Sequence, residues 1–247
     1  MLKVKNLSFA YKTKEILKDI NFNIEDGQTV FLLGENGCGK TTLLKNILAL
    51  LKANTGTIYY DDINLLNISN KERAKIISYI SQLSSPYYSY SVLTHVSMGK
   101  TNNVSTFTSI KDDRTKIEEV LARVNIAHLI DRDISSLSGG ERQLVHIARS
   151  LYQEAKVFLF DEPTSALDYK NQVLTLREIK NLAKMGKTTL ITSHNIEQAL
   201  NYADKIILLE AGAILAYDKP SLILEDLSAL YNIKIEKYKE QYIIIEN

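Results

Sequence analysis

The sequence predicts an α/β fold in which a helical stretch is inserted between two parts of one parallel-sheet core. Three observations carry this prediction. A short apolar run, Val30-Phe31-Leu32-Leu33, leads into a glycine-rich turn and then into helical spacing at Leu43, Leu44, Ile47, Leu48 and Leu51. Val157-Phe158-Leu159-Phe160 is apolar without alternation, as in a strand covered on both faces, and Thr188-Thr189-Leu190-Ile191-Thr192 reads as a second buried strand. From Leu83 to about Leu137 strand-like runs vanish and helical spacing takes over, as at Ile117, Val120, Leu121 and Val124.

The first turn is Gly34-Glu35-Asn36-Gly37-Cys38-Gly39-Lys40-Thr41-Thr42. Strand, G-x-x-x-x-G-K-T and helix, in that order, make a phosphate-binding loop. Its glycines let consecutive backbone N–H groups face one concavity, which binds anions. A helix starting at about Lys40 adds the positive end of its dipole. Lys40 supplies a point charge for β- and γ-phosphates, and the Thr41 hydroxyl is placed to ligate Mg²⁺. A glycine turn that merely joins strand to helix would need neither the lysine nor the threonine. The chain is expected to bind a nucleotide.

Composition narrows the setting. Lys+Arg 30 against Asp+Glu 29 leaves a net charge of +1, so no excess of positive charge points to nucleic acid. The single Cys38 excludes an internal disulfide and fits a reducing compartment. Met1-Leu2-Lys3-Val4-Lys5 opens no secretory apolar region, and no apolar run approaches the ~18 residues of a membrane helix. A soluble chain is expected, with any membrane role exerted through a partner.

Taken in order, residues 2–33 read as β structure, with Ile20, Phe22 and Ile24 alternating against polar neighbours. Tyr11 falls in a polar loop between strands and, by itself, reads as a solvated loop residue. A strand at 57–60, a short helix at about 70–75 and an apolar stretch 76–82 follow, and residues 101–113 read as a polar loop. Leu137-Ser138-Gly139-Gly140-Glu141 opens a helix with the apolar face Leu144, Val145, Ile147, Ala148 and Leu151. Two glycines at a helix start weaken local order, so something must approach that backbone closely, and an anion is the natural candidate. Five of the ten glycines lie in this turn and the lysine loop, which favours two phosphate-facing surfaces.

The strand 157–160 ends in Asp161-Glu162, two carboxylates at the edge where open α/β sheets place ligands. Buried acids without a cation are costly, so Asp161 is read as a Mg²⁺ ligand and Glu162 as the group that activates water. Capping of the turn at Pro163-Thr164 is the plainer alternative. His194, after the strand 188–192, would ordinarily be a structural hydrogen bonder, but it shares the sheet edge with those acids. A hairpin at 205–209 and 213–217, a helix from about 221 to 231 and a strand near 242–245 close the chain.

Lysine loop, glutamine after a strand, LSGG at a helix start, apolar-Asp-Glu, Ser165-Ala166-Leu167-Asp168 and then histidine: in this order the chain resembles the ATP-binding cassette (ABC) ATPases over its whole length. The stretch between Lys40 and Ser138 is too short for the long coiled coil of the chromosome-maintenance relatives. The resemblance implies a single domain with a P-loop NTPase, RecA-like core and an antiparallel β subdomain (1–82 and 153–247), and a helical subdomain (83–152). It implies ATP held by Gly34, Glu35, Asn36, Gly37, Cys38, Gly39, Lys40, Thr41 and Thr42, with Tyr11 stacked on adenine. Thr41, Gln82 and Asp161 would hold Mg²⁺, and Glu162, His194, Gln82 and Lys40 would serve catalysis. Ser138, Gly139, Gly140 and Asp168 would meet the nucleotide of a second copy in a head-to-tail homodimer.

A narrower resemblance, through Gly37-Cys38-Gly39-Lys40, the run 165–172 and Ala199-x-x-Tyr202-Ala203-Asp204, is to ATPases of importers for iron chelates, haem, cobalamin or related metal compounds. It implies a permease docked on residues 83–99, an external substrate-binding protein reached indirectly, and a place in the cytoplasm against the inner face of the membrane. Tyr87, Tyr88 and Tyr90 either face that permease or pack the helical lobe. Glu35, Glu141 and Asn195 stand where proline, glutamine and aspartate are common in the family. A soluble ABC ATPase of a cytosolic assembly complex is the other reading.

Overall fold

The computed structural model describes residues 1–81, 89–103 and 113–245; Gln82, Tyr87, Tyr88 and most of the expected polar loop at 101–113 lie outside them. In chain order the strands are β1 (Leu2–Tyr11), β2 (Lys14–Ile24), β3 (Thr29–Leu33), β4 (Thr55–Tyr60), β5 (Ile63–Asn64) and β6 (Ile77–Ile80). They continue with β7 (Val157–Asp161), β8 (Thr188–Thr192), β9 (Lys205–Glu210), β10 (Ala213–Asp218), β11 (Lys234–Tyr238) and β12 (Gln241–Ile245). Two compact units result, one of residues 1–68 with 182–247 and one of residues 69–181.

In the first unit, β1 pairs antiparallel with β2 and β4, so that Leu2 faces Ile24, Val4 faces Phe22 and Leu7 faces Ile20. The alternation at Ile20, Phe22 and Ile24 buries all three, as a half-covered strand requires. Strand β3 pairs parallel with β8 on one side and β9 on the other. All five residues of β3 and of β8 are buried, which their continuous apolar or Thr-rich runs anticipate. The C-terminal ends of β3 and β8 therefore lie side by side, with Leu32 opposite Thr192. The lysine loop leaves from the first and His194 from the second.

In the second unit, β6 and β7 pair parallel from Ile77 opposite Val157 to Ile80 opposite Phe160. The helix Gly139–Tyr152 buries Leu144, Val145, Ile147, Ala148 and Leu151 on one face. Helices Val92–Ser97 and Arg114–Arg123 pack on it. Its C-terminal end is tied to β6 by polar side chains: Ser150 Oγ lies 2.8 Å from Ser78 Oγ, and Gln153 Nε2 donates to the carbonyls of Ala74 and Ile77 at 2.7 and 2.9 Å.

Four local expectations change. Tyr11 ends β1 rather than standing in a loop. The helix after the lysine loop stops at Ile47, so Leu48 and Leu51 are only half-buried. The helix expected from 221 starts at Leu224, behind a single 3₁₀ turn at Pro220–Leu222. The strand near 242–245 has a partner, β11, that its charged sequence Lys-Ile-Glu-Lys-Tyr conceals.

Candidate functional site

The lysine loop is wound tightly on its own backbone. Gly34 has φ +150°, and a side chain there would run into the Leu209 carbonyl oxygen and stand 2.6 Å from Cys38 Sγ, so only glycine fits. The helix Lys40–Ile47 begins at Gly39, whose left-handed φ of 116° supplies no side-chain cap. A helix start with no side-chain cap is the kind of terminus an anion complements. Lys40 is 8% exposed, and its ammonium donates to the carbonyls of Gly34 at 2.6 Å and Glu35 at 3.0 Å. The cation sits inside the loop before any phosphate arrives, so binding exchanges two neutral acceptors for charged ones. Cys38 is half-buried; burial pushes its thiol up, against the pull of the Lys40 charge.

Around this loop the first unit brings two more expected residues. Tyr11 is 48% exposed at the end of β1, with its ring edge-on to Phe9 at 4.7 Å between centroids. His194 is exposed just beyond β8, two residues past the pairing of Thr192 with Leu32. Asn195 accepts a hydrogen bond from the Gln198 N–H at 2.9 Å and so caps the helix Ile196–Tyr202. The capping work that aspartate would do here is done by asparagine.

In the second unit Asp161 is the last residue of β7 and only 3% exposed. The Tyr79 hydroxyl donates to its Oδ2 at 3.4 Å, and burial followed by the Asp161 charge pushes the Tyr79 phenol well up. Glu162 follows in left-handed backbone, φ 51°, a conformation that costs a non-glycine residue free energy and recurs where geometry is dictated by function. The same turn is held by Ser165, whose hydroxyl donates to the Glu162 carbonyl at 3.0 Å.

The Ser138-Gly139-Gly140 helix start lies in this unit too. Ser138 and Glu141 form a reciprocal capping box: the Glu141 N–H donates to Ser138 Oγ at 3.3 Å, and the Ser138 N–H donates to Glu141 Oε2 at 2.8 Å. Those bonds hold the Glu141 carboxyl below its usual range. Ser138 and Gly139 are exposed, with no atom within 4 Å of a side chain placed at Gly139. At Gly140 such a side chain would meet the Ala166 carbonyl oxygen at 3.4 Å, so the loop 163–168 lies against this helix start. Gln143 Nε2 donates to the Pro163 carbonyl at 3.3 Å, and Gln172 Nε2 to that of Leu167 at 2.9 Å. Asp168 is exposed and takes the Asn171 N–H at 2.8 Å and its side-chain amide at 3.1 Å.

The first unit thus collects Tyr11, the lysine loop and His194, and the second collects Asp161, Glu162, Ser138, Gly139, Gly140 and Asp168. Gln82 lies outside the described residues. Glu141, a departure from the family's common glutamine, completes a capping box that the S-x-x-E spacing itself signals. Arg149, His95 and His146, which the helical lobe assembles, carry no such signal in the sequence. No helix among the described residues is long and apolar enough to cross a membrane.

Comparison with known proteins gives one consistent answer. Residues 17–165 match the ABC transporter family. The chain is 37% identical over 241 residues to a probable iron chelatin transport ATP-binding protein of Helicobacter pylori, covering 96% of this chain and 94% of that one. It is 35% identical over 242 residues (95% and 94% covered) to the hemin import ATP-binding protein HmuV of Pseudomonas entomophila. Against the molybdate import ATP-binding protein MolC of Haemophilus influenzae it is 34% identical over 245 residues, covering 98% and 92%. Among solved structures, an inward-facing putative metal-chelate type ABC transporter aligns at TM-score 0.80 and 32% identity, over 98% of this chain and 95% of that one. A bacterial ABC transporter cassette described as dimeric aligns at 0.77 and 28%, over 89% and 99%.

Proposed function

Because this chain belongs to the ABC transporter family and is an ATP-binding ATPase of it, we propose that it powers an importer for an iron chelate, haem, cobalamin or a related metal compound. It does so by ATP-driven closure of two copies, from the cytoplasmic face of the cell membrane. The substrate class rests on its likeness to the iron chelatin, hemin and molybdate import ATPases and to the metal-chelate type transporter. The core with its β subdomain (1–82 and 153–247) binds the nucleotide, and the helical part (83–152) faces the permease.

The observation that carries the mechanism is the exposed, side-chain-capped helix start at Ser138-Gly139-Gly140. Ser138 and Gly139 are exposed with open space beside them, while the chain already has a phosphate loop of its own at Gly34–Thr42. A second anion-binding helix start is explained if it closes on the triphosphate of a twin, with Asp168 crossing the same seam. Within each copy Tyr11 stacks on the adenine and Lys40 and the loop amides hold the β- and γ-phosphates. Glu162 takes the proton of the attacking water, which Gln82 helps to place, and His194 contacts the γ-phosphate. Asp161, Thr41 and Gln82 offer the oxygen ligands Mg²⁺ prefers, and a carboxylate as buried as Asp161 calls for a cation. When bound, the ion neutralises charge developing on the β- and γ-oxygens.

Uptake by cells carrying Lys40→Ala tests this. Import of labelled iron chelate or haem should fall at least about tenfold with the variant present at normal abundance in the membrane fraction. Unchanged uptake of every such compound, with loss of molybdate uptake instead, would overturn the substrate class. A chain found wholly in the cytosol in a complex without any permease would favour the assembly-ATPase reading.

A further inference from the structure

Arg149, in the last turn of the helix Gly139–Tyr152, is a half-buried cation with no carboxylate partner among the described residues. Burial pulls its guanidinium down from its ordinary range. Among the described residues it makes no hydrogen bond or ion pair through that group, whereas Arg114 and Arg123 meet carboxylates at 2.8 and 2.9 Å. It is half-buried, so part of the side chain stays open to a group from outside.

Among the described residues no carboxylate acts on Arg149, and Arg142 adds a second positive charge beside His146. His146 lies one turn earlier on the same helix face, and its Nδ1 is 3.1 Å from Nε2 of His95 on Val92–Ser97. The Tyr90 ring stacks on His95, 5.8 Å between centroids and 11° between planes. Burial first, then neighbouring positive charge, pushes His95 down to about 3 and His146 to about 4, so both imidazoles are neutral in the cell. Lys100 and Glu154, the charged groups of the adjoining segments, are spent on each other at 2.8 Å. Gly99 lies flush on the arginine, where a side chain would stand 2.6 Å from the Arg149 carbonyl oxygen and 3.5 Å from its Cγ. The stem is covered on that side.

A cation partly withdrawn from water and given no anion is an incomplete arrangement. The guanidinium fork matches a carboxylate in two parallel hydrogen bonds. We propose that Arg149, walled by Tyr90, His95 and His146, is the docking point for an aspartate or glutamate side chain of the membrane-embedded partner. This rests on the proposed transport function, which sets the permease against residues 83–99, and it names the contact that function lacks.

Arg149→Lys keeps the charge and introduces an amine that a water-soluble carbodiimide can join to a touching carboxylate. In membranes from cells expressing the full chain, the reagent should link position 149 to an Asp or Glu of an integral-membrane polypeptide, identified by mass spectrometry. The wild-type arginine gives no such link. Arg149→Gln should reduce the membrane-bound fraction about tenfold while the released chain binds ATP as wild type does. No intermolecular link in membranes that hold the variant at wild-type level would overturn the proposal, as would a link only to Asp112 or Asp113 of the same chain. Absence of the wild-type chain from membranes overturns the transport reading itself. Should Arg149→Gln fail to fold, the lysine variant still decides.

Discussion

Replacing Glu141 with glutamine should tighten ATP-driven pairing of two copies. Glu141 is anionic at neutral pH because the Ser138 N–H, 2.8 Å away, holds its carboxyl low. In the proposed dimer the γ-phosphate of the twin arrives at the same helix start. Two unit charges about 8 Å apart repel by roughly 0.5 kcal/mol at the dielectric of water and about 2 kcal/mol at an effective dielectric of about 20. Glutamine keeps an oxygen for the Ser138 N–H, so the capping box persists. What is lost is the carboxylate's interaction with the helix dipole, about 0.3–1 kcal/mol of stability. Closure should therefore strengthen about 2- to 30-fold for each of the two nucleotide sites while the melting temperature falls slightly. The assay is sedimentation of Glu162→Gln with and without Glu141→Gln across an ATP titration, at low and high salt. Pairing that is unchanged or weaker in the double variant, with its fold intact, would refute the reasoning.

Three further outcomes follow from the same geometry. Lys40→Ala should abolish ATP turnover, because the γ-phosphate loses its buried counter-charge; retention of more than about a tenth of the rate, a loss of only ~1.4 kcal/mol, would reject that role. Since burial raises the Cys38 thiol, alkylation should be slow at neutral pH, accelerate in alkali and slow again with ATP; reaction at pH 7 as fast as that of a free cysteine would contradict the burial argument. The His95–His146 pair should make the chain sensitive to acid. Unfolded histidines bind protons below about 6.5, whereas these resist to about 3 and about 4, so stability is intact above pH 6.5 and falls below it, by up to about 2 kcal/mol per histidine at pH 5. Thermal denaturation of wild type and His146→Leu from pH 7.5 to 5 checks this, since the variant should show a shallower decline.

Much of this was legible because the informative residues are ones with few alternatives. The continuous apolar runs of β3 and β7 admit a covered parallel strand and little else, and Gly34 and Lys40 announce a backbone that must curl around an anion. Local chemistry also set the start of the helix at Ser138. What escaped has physical causes. Strand β11 carries Lys234, Glu236 and Lys237, so its pairing with β12 leaves no periodic apolar mark. The helix after Lys40 ends where Ala49 turns left-handed, φ 52°, although Leu48 and Leu51 extend the spacing. Arg149, His95 and His146 lie on two helices far apart in sequence, and only packing reveals that the cation meets neutral neighbours. Asp161 and Glu162 were found from the strand they end, but the left-handed turn that sets Glu162 apart from Asp161 carries no sequence signature.

The central claim is tested most directly by the state of Glu162→Gln in solution. Purified and given ATP with Mg²⁺, this variant should sediment as a dimer holding two nucleotides and return to monomer when ATP is removed or when Ser138 is replaced by a bulky residue. A variant that binds ATP with normal affinity yet stays monomeric at every concentration would contradict the account.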